Sequence, residues 1–176
     1  MVDVELRFVS PQLSELDSLE SEVLACTVWE DVRPSDGVAG LCDWRTAGRI
    51  ASLQRDGYLV GRQGEVLLLP GRPKLPFEKL LLFGAGTREA FDEQVCGEVT
   101  RHMLSTIDGL QANFAVAELP GRQSDLITPE RAADLLLEAA GRTHQQAIWT
   151  LVEDGEARRQ ITQHMIEERR RVRRAL

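Results

Sequence analysis

Leu80-Leu81-Leu82-Phe83, an unbroken apolar run closed by Gly84-Ala85-Gly86, constrains this chain more than any other stretch. A run so short is a strand, and its continuous apolarity means that both faces are covered. Thr87 then stands where it can cap a helix. Glu89 falls in the first turn, and Phe91, Val95, Val99 and Met103 recur at helical spacing. A buried strand passing through a glycine turn into an amphipathic helix is a βα unit. It predicts the α/β class: a three-layer α/β/α sandwich with a mixed, mostly parallel sheet between two layers of helices.

The remaining segments fit that class. Val4 to Val9 alternates like a strand, and Ser10-Pro11 opens a short polar helix or turn around Leu13, Leu16 and Leu19. Val23 to Trp29 reads as a central strand, and Glu30 to Gly40 as a loop punctuated by Pro34 and two glycines. Leu41 to Arg55 reads as one helix with Trp44, Ala47, Ile50, Ala51 and Leu53 on its apolar side. Tyr58-Leu59-Val60 and Glu65 to Leu69, joined by Gly61-Arg62-Gln63-Gly64, read as a hairpin, and Pro70 to Pro76 as a stiff connector. After the helix from Arg88 to Ile107 come a strand at Asn113 to Leu119 and a helix opened by Thr128-Pro129 and stopped at Gly141. A last strand spans Gln146 to Val152. Residues 1–154 therefore form the domain, and 155–176 a final helix with an arginine-rich end.

Composition narrows the function classes. A net charge of −7 argues against a general nucleic-acid binder. No run approaches the ~18 apolar residues of a membrane span, and the start lacks a signal-peptide core, so the cytoplasm is the expected compartment. Cys26, Cys42 and Cys96 sit among apolar residues and suit buried, reduced thiols. His102, His144 and His164 show no metal-ligand spacing, and the acidic residues are expected on outward helix faces, so neither metal nor cofactor is expected. Trp29, Trp44 and Trp149 lie in apolar runs and are expected to pack.

The order of these segments resembles a known family. Asp43-Trp44-Arg45, Ile50 and Leu53, then the run Asp56 to Leu69 (DGYLVGRQGEVLLL), then Leu80 to Gly86, then Ala115 to Pro120 resemble the N-terminal domain of leucyl aminopeptidases, peptidase family M17. The resemblance covers roughly Val4 to Val152. It implies a macro-domain-like fold that takes part in oligomeric assembly and does no chemistry itself. The family's two-metal chemistry belongs to a separate catalytic domain, whose NTDAEGR-type motif has no counterpart in this sequence.

Two glycine loops are the candidate ligand site. Asp36-Gly37-Val38-Ala39-Gly40 resembles the GGGVAGAI phosphate-contacting loop of macro domains, and Gly84-Ala85-Gly86-Thr87 could form a second wall. Glycines admit a diphosphate to backbone amides, and a helix N-terminus adds partial positive charge. Against this, a single glycine precedes Val38 and Asp36 adds negative charge, which favours structural turns. The other candidate is the arginine end: Arg169, Arg170, Arg171, Arg173 and Arg174 either solvate a helix C-terminus or dock on an acidic protein, another copy of the chain included. The expected function is a non-catalytic scaffold, adaptor or regulator working through protein–protein contact, homo-oligomers among them. The alternative is a module that binds ADP-ribose or a related nucleotide.

Overall fold

The computed structural model describes residues 4–19, 21–143 and 148–175. In chain order its strands are β1 (Glu5–Val9), β2 (Ser21–Val28), β3 (Val66–Pro70), β4 (Phe77–Gly84), β5 (Ala115–Ala117) and β6 (Ile148–Val152). Its α-helices are α1 (Leu13–Asp17), α2 (Gly37–Arg45), α3 (Arg49–Arg55), α4 (Glu93–Gly109), α5 (Pro129–Thr143) and α6 (Gly155–Ala175). One six-stranded sheet runs in the order β1-β6-β5-β2-β4-β3, parallel except where β3 meets β4.

Side-chain alternation along the central strands feeds two separate cores. Val23 and Ala25 of β2 and Leu81 and Phe83 of β4 point to the face covered by α4 (Val99, Met103, Ile107) and α5 (Ala132, Leu136). Leu24, Cys26 and Val28 of β2 and Leu80 and Leu82 of β4 point to the face covered by α1 (Leu16), α2 (Val38, Ala39, Cys42) and α3 (Ile50). A strand with helices on both sides must be apolar at every position, which is why Leu80 to Phe83 is unbroken. The predicted α/β/α sandwich is the observed fold.

Several expectations are corrected. Residues 58–60 form no strand; β3 instead pairs antiparallel with β4, Val66 opposite Phe83 and Pro70 opposite Lys79, and the proline-bearing connector closes that hairpin. Leu41 to Arg55 is two helices, because Ala47 (φ 56°) and Gly48 (φ 80°) turn left-handed between α2 and α3, and the first of them starts at Gly37, inside the stretch read as a loop. Trp44 does not pack: it is 74% exposed, whereas Trp29 and Trp149 are buried. The long helix α4 begins at Glu93, where Asp92 Oδ1 accepts a hydrogen bond from the Val95 amide at 2.9 Å, and not at Thr87. Gly141 lies inside α5, which continues to Thr143. His144 and Gln146-Ala147 lie outside the described residues, as do the side chains of Arg173 and Arg174. Among the described residues no helix is long and apolar enough to cross a membrane.

Candidate functional site

Because β2, β4, β5 and β6 run parallel, their C-terminal ends share one edge of the sheet. From adjacent β2 and β5 the chain departs to opposite faces, towards α2 on one side and α5 on the other. Such a divergence opens a crevice in which α/β proteins place their ligands. Both predicted glycine loops arrive at this edge, and so do two segments that were not predicted, Glu118 to Ser124 after β5 and Glu153-Asp154 after β6.

The first loop is built around the start of α2. Asp36 precedes the helix without capping it: Oδ1 accepts from Gln123 Nε2 at 3.0 Å, and Oδ2 pairs with the Arg88 guanidinium. Gly37 has φ +57°, and a Cβ there would lie 2.6 Å from the Gln123 side chain and 2.8 Å from Glu118 Oε2. Any larger residue would be strained at this φ and would have to push those side-chain ends aside. The Val38 N–H, a free donor of the helix N-terminus, is taken by Glu118 Oε2 at 2.9 Å. Val38 and Ala39 are fully buried, and the Gly40 amide donates to Asp36 O at 2.9 Å.

The second loop is tied down by the backbone. The Gly84 amide donates to Glu65 O at 2.9 Å, Ala85 to Val28 O at 3.0 Å and Gly86 to Gly61 O at 2.8 Å. Thr87 Oγ1 accepts from the Ala90 amide at 3.3 Å. Arg88 joins the two loops through its pair with Asp36 and lies 5.6 Å from the centre of the Trp29 ring.

The unpredicted segments supply the charged core of the crevice. Arg122 donates through Nε to Glu153 Oε1 at 2.8 Å, through Nη2 to Glu153 Oε2 at 3.1 Å and through Nη1 to Ile127 O at 2.7 Å. Both partners are buried. Glu118, 3% exposed, has a carboxyl group pushed up to about 8. Burial is the main cause, reinforced by Asp36 and Glu153 and opposed by the backbone of Val38 and Thr27. Burial likewise raises Glu153, against the pull of Arg122. Glu118 and Glu153 correct the expectation that acidic residues would all face outward. The available signal was an acid placed directly after an apolar strand, in Ala115-Val116-Ala117-Glu118 and Leu151-Val152-Glu153.

Glu118, Gln123, Gly37, Arg122 and Glu153 wall a cavity of about 280 Å3. Burial holds the three thiols in their neutral form: it raises Cys26 well above its ordinary value, Cys42 to about 12 and Cys96 to about 11. Among the described residues no group of three or more His, Cys, Asp or Glu is placed to hold a metal ion.

Residues 24–146 match the family described as the cytosol aminopeptidase family, N-terminal domain. The chain belongs to that family. The cytosol aminopeptidase of Pseudomonas aeruginosa is 32% identical over 103 residues, covering 58% of this chain and 21% of that protein. A probable cytosol aminopeptidase of Tolumonas auensis is 30% identical over 135 residues, covering 76% of this chain and 26% of its own length. This N-terminal domain chain thus spans about a quarter of the curated relatives it matches.

Solved structures agree on the fold. A tomato leucine aminopeptidase mutant superposes with a TM-score of 0.61 at 12% identity, covering 92% of this chain and 35% of that one. The Oceanobacillus iheyensis macrodomain with ADP gives 0.68 at 13%, covering 94% of both chains. The Trypanosoma brucei macrodomain in complex with ADP-ribose gives 0.67 at 14%, covering 90% of this chain and 67% of that one. The cytosol aminopeptidase N-terminal domain therefore has a macrodomain-like fold here.

The arginines at the other end of the molecule lie along α6. Arg169 and Arg170 are exposed, and Arg171 Nη1 pairs with Glu168 at 2.8 Å. Arg169 borders a groove with Leu6, Phe8, Met165 and Ile166 between β1 and α6.

Proposed function

We propose that this chain is a non-catalytic, macrodomain-like domain that acts through protein–protein contact, as a scaffold, adaptor or regulator, contact with further copies of itself included. The observation that carries this reading is the Val38 N–H to Glu118 Oε2 bond. The amide that would meet a diphosphate at the α2 N-terminus is already satisfied by the chain itself, and the space over Gly37 is filled by Gln123 and Glu118. The plug is steric, so it acts whether Glu118 is charged or neutral. Ala85 and Gly86 likewise spend their amides on backbone carbonyls.

Two surfaces support protein contact. Trp44 and Tyr58 are 74% and 73% exposed, and large aromatics are enriched in interfaces. The basic end of α6 adds a charged surface for an acidic partner.

The second reading is a site for ADP-ribose or a related nucleotide at Asp36 to Gly40 and Gly84 to Thr87. It is favoured by the ligands in the two macrodomain structures. Thermal denaturation with ADP-ribose and ADP separates the two readings. A ligand at ~100 times its dissociation constant adds ~2.7 kcal/mol of apparent stability. No shift is expected; a clear one would replace the first reading with the second. Light scattering of the native chain beside Trp44→Ala/Tyr58→Ala tests self-contact, with a fall in mass of the variant as the expected result.

A further inference from the structure

The cavity at the end of β5 contains polar atoms that the fold does not satisfy. Glu118 is 97% buried; its Oε2 accepts from the Val38 amide and the Thr27 backbone also favours the carboxylate, while Oε1 has no hydrogen-bond partner of good geometry. Gln123 spends Nε2 on Asp36, and its own Oε1 also lacks a partner. Both residues line the cavity and both crowd the point above Gly37. Buried polar atoms are almost always paired, so two adjacent acceptors left open are an exception that needs an explanation. While Glu118 keeps its proton, that O–H can serve one of these oxygens; once the proton leaves, both are acceptors and call for a donor.

The charge around them says which kind. Asp125 and Asp154 also line the cavity, and Asp36 stands behind Gln123. With Glu118 and Glu153 that makes five carboxyl groups, against the guanidiniums of Arg88 and Arg122 alone. Those two cations are spoken for, Arg88 by Asp36 and Arg122 by Glu153. The cavity has room for a small group in addition, at about 280 Å3.

We propose that this cavity is a seat for a compact organic cation, an ammonium or guanidinium group, held by Glu118 and by the side-chain oxygen of Gln123. The donor supplies the hydrogen bonds that Oε1 of each residue lacks, and its charge offsets the surplus of carboxylates. This goes beyond the protein-contact reading and stands or falls separately from it.

Binding carries a proton signature. Facing Glu118 are Asp36 from the start of α2, Glu153 with Arg122 and Asp125, Asp154 behind them, and the neutral thiols of Cys26 and Cys42. Burial and the neighbouring acids hold the Glu118 proton up to about pH 8, whereas a cation favours the carboxylate. The cation therefore displaces that proton. Affinity rises about tenfold between pH 7 and pH 9, because the charged fraction of a group titrating near 8 does so. Alkylammonium probes keep their own proton over this range.

The experiment is a 15N-labelled titration of the full chain with n-butylammonium chloride, followed at the Val38 and Gly37 amides at pH 7 and pH 9. Tetramethylammonium, which has the charge and no N–H, and sodium chloride are the controls. Saturable shifts with butylammonium alone, tighter at pH 9 and absent in Glu118→Gln, are expected. Gln123→Lys supplies a tethered ammonium, so its Val38 amide should resemble the occupied wild type and ignore added amine. A lysine-bearing peptide in parallel separates the sources: tighter binding of the peptide assigns the seat to a partner's side chain, tighter binding of the free amine to a small molecule. No response at Val38, an equal response to tetramethylammonium, or an unchanged titration in Glu118→Gln overturns the proposal.

Discussion

Replacing Glu118 by glutamine changes one atom type and should remove one titration from the folding equilibrium. Glu118 stands at about 8 in the folded chain against 4.5 when free. A raised carboxyl means that the folded state holds a proton which the unfolded state releases. The favourable term is therefore present in full below about pH 4.5 and is lost as pH climbs through about 8. At ~1.36 kcal/mol per pH unit the span sets a ceiling of about 5 kcal/mol, which relaxation of Asp36 and Gln123 lowers. Glutamine is neutral throughout and keeps an oxygen for the Val38 amide. Urea denaturation of both proteins at pH 5, 7 and 9 is the assay. The wild type should lose stability relative to Glu118→Gln as pH rises, with most of the divergence between pH 5 and 7 and the remainder complete by about pH 9. Profiles that stay parallel within ~0.5 kcal/mol would refute the reasoning, because Glu118 would then titrate as an ordinary solvated acid.

Arg122→Met strands Glu153, whose side chain is 5% exposed, and should cost ~3–5 kcal/mol by chemical denaturation. Adding Glu153→Leu should restore most of that loss. Gly37→Ala forces a Cβ against Gln123 at φ +57° and should cost ~1–3 kcal/mol. Gln123→Ala in the same chain relieves the collision but not the backbone strain, so a thermal melt should show partial recovery.

What was legible in the sequence was whatever burial on two faces writes into it. Leu80 to Phe83 could be read because a central strand admits no polar position. Asp36 to Gly40 was rightly set beside a helix start, but its glycines hid that Gly37 to Gly40 are already the first turn of α2. The break between α2 and α3 was not legible. An alanine at φ 56° is set by tertiary packing and has no residue-type signal. The hairpin was misplaced for a related reason: the glycine-flanked Gly61 to Gly64 segment has turn composition, yet β3 finds its partner beyond the prolines, where Leu67 meets Leu82. There Glu65 folds back instead to accept the amides of Val60, Gly61 and Arg62. Trp44 was misassigned because helical spacing shows which residues share a side, not which side is covered. Glu118, Gln123 and Glu153 could be brought together only by the strand order. β5 lies beside β2 and β6 beside β5 in the sheet, though both come far along the chain from β2.

That strand order also dictates when the domain can become whole. β3 and β4 are separated by six connector residues and can zip early, since closing so short a loop costs little entropy. β1 has β6 as its ladder partner, Glu5 opposite Ile148 and Val9 opposite Val152, so the first strand waits for nearly the last. Contacts of such sequence separation form late and slowly. A nascent chain emerging N-terminus first therefore carries β1 unpaired until β6 has been made. During synthesis, Leu6, Phe8 and Val9 must all stay uncommitted until β6 arrives.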